Sequence, residues 1–448
     1  MTMHGWTTSP ARLAQATGDW ITQARWFTGD PDAELRFVHA SPIAVTDHVT
    51  TVLFLVRSGE LPLSVPLTFR RAGGAASSPG PIGAIDDVRI WDATDDPDGQ
   101  RALLDLLMSG RTDTSGALRL EARPLRRDLP AIASSHRLTS EQSNTSVIYS
   151  FAEPDSTGSQ GLILKLFRVL SNGVNPDVEL QQALDAVGSA AVPRQYGSVR
   201  GAWQGMEADV LVAQEFLAGA LDAWQVVTGR LSNADFAVGD DITQLGALTA
   251  QIHRELAGSF DTQRPNETQR NELISQWHAR AEQAIADAPQ LAEHRDAIRA
   301  VFAKARDVEW PALQRIHGDY HLGQVLRVPD RGWVALDFEG EPLRPLAQRT
   351  APDLALRDVA GMLRSFDYAG GSALLAGGDE QLLADWASRA QHAFLTGYGE
   401  LSADEQVLLD ALVLDKALYE VSYEVAARPD WVEIPILGVL RLISRSKT

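Results

Sequence analysis

The stretch His317-Gly-Asp-Tyr-His-Leu-Gly-Gln324 is followed twelve residues later by Leu336-Asp-Phe-Glu339. Together they put one acid, one amide and two further acids at a spacing suited to phosphoryl transfer. That reaction has a loose transition state, so a protein accelerates it mainly by positioning groups and neutralising charge. Asp319 would orient an acceptor hydroxyl and take its proton. Gln324 and Asp337 would offer oxygen to Mg²⁺, a hard cation that prefers such ligands, and Glu339 would hold a second ion or its water. His321 reads as a brace for the loop rather than a metal ligand. A His-Gly-Asp tripeptide alone is only a turn. The chemistry is carried by the amide five residues on and by the acid that ends the apolar run Trp333-Val-Ala-Leu336.

These groups need elements to hold them. In kinases Asp-x-x-x-x-Asn precedes a strand ending in Asp-Phe-Gly. Here Gln324 stands for the asparagine and Glu339 for the glycine. A strand lysine should then hold the donor's phosphates, and Lys165 sits in the apolar run Gly161-Leu-Ile-Leu-Lys-Leu-Phe167. Burying an ammonium there costs free energy unless it is paired. Glu179, on a helix opened by Asn175-Pro176-Asp177, is the expected partner. For a lone lysine, an edge position facing water is the alternative. Ser143, Asn144, Thr145 and Ser146 precede the first strand of this hairpin, where hydroxyls and amides would donate to phosphate oxygens. The segment lacks glycines. Gln214, Glu215 and Leu217 end a strand before Ala218-Gly219 and suit a hinge whose backbone reads an adenine edge; an ordinary strand end is the alternative.

A last constellation is Asp415-Lys-Ala-Leu-Tyr-Glu-Val-Ser-Tyr-Glu424, then Arg428-Pro-Asp-Trp431. Asp415, Tyr419 and Tyr423 are four apart and share a helical face, with Glu420 and Glu424 on its flank. Carboxylates beside aromatic planes are what a polyhydroxylated sugar needs; an amphipathic helix is the plain alternative. Asp358, opening a helix after Arg357, is expected to cap it or to brace the catalytic loop through an arginine.

At 448 residues the chain is expected to form two or three packed units. Alternating strands separated by Gly/Pro/Ser turns suggest a β-rich cap over 1–130, including a Gly/Ser/Pro-rich loop at 73–83. A nucleotide lobe over 131–217 and a helical catalytic lobe over 218–448 would follow, an α+β class. The 59 acids against 40 bases give a net charge of −19. That balance repels nucleic-acid backbones and anionic lipid, so neither is an expected partner. Cysteine is absent, which removes disulfides, thiolate metal sites and a cysteine nucleophile. No secretory signal and no run of 18 apolar residues is visible, which fits a cytoplasmic enzyme, monomeric or homodimeric.

The motifs together resemble the maltokinase family, which shares its bilobal, eukaryotic-protein-kinase-like fold with aminoglycoside and choline kinases. The resemblance rests on Glu141-Gln-Ser-Asn-Thr-Ser-Val-Ile148, Leu164-Lys-Leu-Phe167, Asn175-Pro-Asp-Val-Glu-Leu180, His317-Gly-Asp319, Asp337-Phe-Glu-Gly-Glu-Pro342, Arg357-Asp-Val-Ala-Gly361 and Asp415-Lys-Ala-Leu-Tyr-Glu420. It implies an N-terminal cap, ATP as co-substrate, one or two Mg²⁺ ions and a sugar acceptor. Tyr320 in place of a common leucine, Asp30 after Gly29, and Ala426-Ala427 before Arg428 depart from the maltokinases. They are similar to the glucosamine kinase branch, which phosphorylates glucosamine at O6. On that reading Asp319, Tyr320, His321, Asp415, Tyr419, Glu420, Tyr423, Glu424 and Trp431 line the sugar site, with Asp415, Glu420 or Glu424 attracting the 2-ammonium group. Maltose 1-phosphate formation, aminoglycoside phosphorylation and a regulatory ATP-binding pseudokinase are the other expectations. Retention of Lys165, Asp319, Gln324 and Asp337 speaks against the last.

Overall fold

The computed structural model describes all residues except 1, 4–5, 72–78, 114–116, 140–142, 342–343 and 446–448. Glu141 and Pro342 of the motifs above, and most of the 73–83 loop, therefore lie outside the described residues. The chain divides into two compact units, 1–179 with 193–218, and 180–192 with 219–448.

The first unit is built on two antiparallel sheets. One orders its strands Leu35–Val45, Val49–Ser58, Leu61–Arg71, Val88–Asp92 and Gly83–Ile85. Its second strand, Val-Thr-Thr-Val-Leu-Phe-Leu-Val-Arg-Ser, is buried on both faces. Strand side chains alternate, so Val52, Phe54 and Val56 join a cluster with Leu13 and Ile21 of the helix Pro10–Gln23. Leu53 and Leu55 point the other way, to Leu103, Leu104 and Leu107 of the helix Pro97–Met108.

The larger sheet has seven strands, in the order Ile132–Arg137, Asn144–Phe151, Gly161–Phe167, Met206–Glu215, Gln195–Trp203, Arg119–Pro124 and Thr112–Asp113. Arg119–Pro124 pairs with Gln195–Trp203, so this sheet runs across residue 130. A buried guanidinium joins the two sheets. Arg168 donates to Asp92 at 2.6 Å and to Thr145 at 2.8 Å, and lies 4.9 Å from the Trp26 ring centroid.

The second unit is helical apart from three short strands, Leu221–Asp222, Val325–Val328 and Gly332–Ala335. Two helices matter most for the site. The first, Leu356–Leu375 (the anchor helix), is buried at every position from Leu356 to Phe366. A helix buried all round belongs inside a bundle, and its buried Arg357, Asp358 and Arg364 must then find partners. The second, Ala403–Ala427 (the long helix), starts at a capping box in which Ser402 and Glu405 satisfy each other's amides. Its Leu408, Leu412 and Leu414 enter the same core. Among the described residues no helix is long and apolar enough to cross a membrane.

Candidate active site

The helical unit carries the His317–Gln324 loop on the anchor helix. Asp358, 1% exposed, accepts from the backbone N–H of His317 at 2.8 Å and of Gly318 at 2.9 Å. It also lies 3.1 Å from Nε2 of His253, whose Nδ1 is 3.1 Å from the Tyr398 hydroxyl. Burial pushes the Asp358 carboxyl up, but His253, the charge of His317 and the Gly318 amide together hold it below its usual range. The expected brace is therefore real, but it acts directly on the loop's backbone instead of through an arginine. Gly361 lets the helix come this close, because a Cβ there would stand 2.5 Å from the Tyr320 carbonyl oxygen. Ser365 completes the attachment by accepting from Leu322 N–H at 2.9 Å.

The loop is joined in turn to the Asp337 segment. His317 Nε2 donates to the Leu336 carbonyl at 2.8 Å, and its ring packs 4.5 Å from Phe338. Leu336 N–H donates to the Gln324 carbonyl at 2.9 Å, which brings the Gln324 amide within 3.4 Å of an Asp337 oxygen. The strand before it stops at Ala335, and Asp337 itself has φ +60°. A left-handed backbone is unusual for a residue with a side chain, though aspartate tolerates it better than most. Carboxylate oxygens of Asp337 and Glu339 lie within 4.8 Å of one another. Such an all-oxygen donor set fits Mg²⁺. His321 accepts from Gly323 N–H at 3.0 Å, and burial lowers its pKa, so the ring is neutral and braces the turn.

Two residues beside Asp319 were missed in the sequence. Lys416 Nζ lies 3.4 Å from Asp319 Oδ1 and 2.7 Å from Glu341 Oε1. Burial alone would raise the Glu341 carboxyl, yet Lys416 and Arg344 bring it down to about 2. Both residues stood inside quoted motifs, Asp415-Lys and Gly-Glu-Pro. A lone helical lysine reads as solvated surface, so neither drew notice.

The sugar-face expectation needs correction at four positions. Tyr320 is 3% exposed and sits in the helical core with its hydroxyl 3.3 Å from Thr249, so it does not line a cavity beside Asp319. Asp415 is gripped by Arg280 at 2.6 and 2.7 Å and by Arg357 at 3.3 Å. Glu420 accepts from Arg364 at 2.8 Å. Glu424 accepts from Tyr368 at 3.0 Å and Arg428 at 2.9 Å. Each of these acids is already ion-paired to an arginine, which weakens its attraction for a ligand's ammonium. The aromatic residues fare differently. Tyr419 and Tyr423 stack with centroids 6.4 Å apart, and Tyr423 keeps 45% of its surface exposed. Trp431 stacks on Tyr368 at 6.4 Å, with Arg428 over its ring.

In the first unit Lys165 lies on the interior strand Gly161–Phe167, flanked by Asn144–Phe151 and Met206–Glu215. Its Nζ is 3.3 Å from Asp177 Oδ2. Asp177, expected only as part of the helix start, opens the helix Pro176–Ala186, with Glu179 in the same first turn. Of the four residues expected at the phosphates, Ser143 is exposed and Asn144 half-buried, while Thr145 and Ser146 are buried. The Thr145 hydroxyl accepts from Arg168, so its side chain holds the sheet together instead of facing a ligand. At the expected hinge, Glu215 pairs with Arg194 at 3.4 Å, and Gln214 lies opposite Ile163 and Gln195 in the sheet. The N–H groups of Glu215 and Phe216 donate to Arg194 and Gly161, which leaves Leu217 as the first position beyond the ladder.

A β-sheet lysine paired to a helix acid, a backbone-braced aspartate, and an amide near a carboxylate are residue types that phosphoryl transfer uses. The chain belongs to the phosphotransferase enzyme family, which it matches over residues 155–392. It is 30% identical over 298 residues to a glucosamine kinase of Streptacidiphilus jiangxiensis, a match covering 60% of this chain and 66% of that protein, just under two thirds. It is 28% identical over 327 residues to a glucosamine kinase of Mycolicibacterium smegmatis, covering 66% and 77%. Its fold is that of a solved glucosamine kinase in complex with glucosamine, ADP and inorganic phosphate, with a TM-score of 0.68, 23% identity, and 97% and 99% of the two chains covered. A second crystal form of a glucosamine kinase gives a TM-score of 0.70 at 22% identity over 98% of both chains.

Proposed function

We propose that the protein is a cytoplasmic kinase that transfers the terminal phosphoryl group of ATP to glucosamine, giving glucosamine 6-phosphate and ADP. The observation that carries phosphoryl transfer is the Asp319 loop. Its backbone is fixed by Asp358, and the Gln324 amide lies within 3.4 Å of Asp337, so on this reading acceptor and metal functions fall to different acids. Asp319 orients the acceptor hydroxyl and receives its proton, a role worth roughly 10²–10⁴ in rate. Gln324, Asp337 and Glu339 would hold Mg²⁺, which when bound neutralises the charge of the phosphates. Lys165, ion-paired to Asp177, is the cation offered to the phosphate oxygens. Tyr419, Tyr423 and Trp431 offer rings to the C–H faces of the sugar.

The choice of glucosamine rests on the two glucosamine kinases that the sequence matches. It no longer rests on the acids of the long helix, which are occupied by arginines. That occupation favours a neutral sugar such as maltose as the second reading. ADP release measured over glucosamine, maltose, glucose, N-acetylglucosamine and kanamycin, with the product located by NMR, separates the two. Turnover of glucosamine above all others is expected. A higher kcat/KM for maltose would transfer the assignment to the second reading.

A further inference from the structure

Among the described residues, the side chain bonded to the Asp319 carboxylate is Lys416, and Lys416 is not free to leave. Glu341 binds it with Oε1 at 2.7 Å and binds Arg344 with Oε2 at 2.6 Å, so both of its oxygens are engaged. Arg344 faces Asp353 at 3.8 Å, Asp353 binds Arg357 at 2.7 Å, and Arg357 reaches Asp415, the residue before Lys416 on the long helix. The alternating charges thus form a closed ring that returns to the helix it left. A lysine side chain ordinarily has several rotatable bonds and much rotamer entropy to lose. Here its position is set by an acid that is itself clamped from the far side.

We propose that Glu341 is a positioning residue that acts through Lys416: the pair aims the Asp319 carboxylate at the acceptor hydroxyl. The inference rests on the reading of the protein as a sugar kinase. Transfer forms the O6–P bond and breaks the bond between the terminal phosphorus and the bridging oxygen of ATP. The hydroxyl proton goes to Asp319, and ADP leaves.

The test uses the full chain with MgATP and glucosamine, in Lys416→Met, Glu341→Gln and the double variant. Each single change is expected to lower kcat by about tenfold or more while the KM for MgATP stays within about twofold. Because Glu341 acts through Lys416, the double variant should match Lys416→Met alone, and Lys416→Arg should recover part of the loss. Losses that multiply in the double variant, or a kcat unchanged in either single one, would overturn the positioning role. Basal ATP hydrolysis, with water in the acceptor's place, is measured in the same samples. If the wild type turns over no sugar, the kinase reading fails on its own, and hydrolysis still has to fall in both single variants for the positioning role to stand.

Discussion

The catalytic loop and the long helix are both rich in acid, yet their carboxylates are treated in opposite ways. On the long helix Asp415, Glu420 and Glu424 are buried and each is matched by an arginine. On the loop, Asp319 keeps one long contact to Lys416, and the bracing is done from behind by Asp358 against the backbone. A buried acid ion-paired to arginine fixes structure, whereas an acid with one long contact on a rigid backbone can accept a proton from a ligand. Residue type does not separate the two classes; the number of partners does.

Four changes break or sharpen that contrast. The largest effect is expected for Asp319→Asn, a kcat loss of about 10³ with the KM for MgATP nearly unchanged. Steady-state kinetics check it, and an equal loss of nucleotide affinity would sink the assignment. Asp415→Ala should instead unfold the protein more easily, by roughly 3–5 kcal/mol, because it strands Arg280 and Arg357 in the core. Urea denaturation reads that out. Undiminished stability with lost activity would return Asp415 to the sugar site.

The third effect is one of pH. Glu341 has a folded pKa of about 2 against an ordinary value of 4.5. A depressed carboxyl adds stability that is complete above its unfolded pKa and disappears as pH falls toward the folded one. Between about pH 5 and 2, the wild type should therefore lose on the order of 2–3 kcal/mol more than Glu341→Gln. Parallel stability curves for the two would refute the coupling. The smallest change is expected for Tyr320→Phe, which removes one long hydrogen bond at 3.3 Å. It should cost under about 1 kcal/mol, with the acceptor KM unaltered, and a several-fold change in that KM would put Tyr320 back beside the sugar.

Local placement was legible in the sequence where spacing along the chain sets geometry. Asp319, Gln324 and Asp337 could be read because loop and strand are contiguous, and Lys165 because a cation in an apolar run demands a partner. What failed was pairing between distant segments. No local pattern couples Asp415 to Arg280, or Lys416 to Glu341, since those contacts join different helices and loops. The acids of the long helix therefore looked available. Tyr320 was judged by its neighbour Asp319, although consecutive loop residues need not face the same way.

The φ of +60° at Asp337 narrows what mutation can do at that position. Glutamate, the substitute that would keep the charge, carries a longer side chain that this backbone disfavours. Glycine and asparagine adopt the conformation readily, and both lie one base change from an aspartate codon. Drift at residue 337 therefore leads more easily to a folded chain without the carboxylate than to one that keeps it in another form. A lineage that loses activity through this door would still look intact by shape.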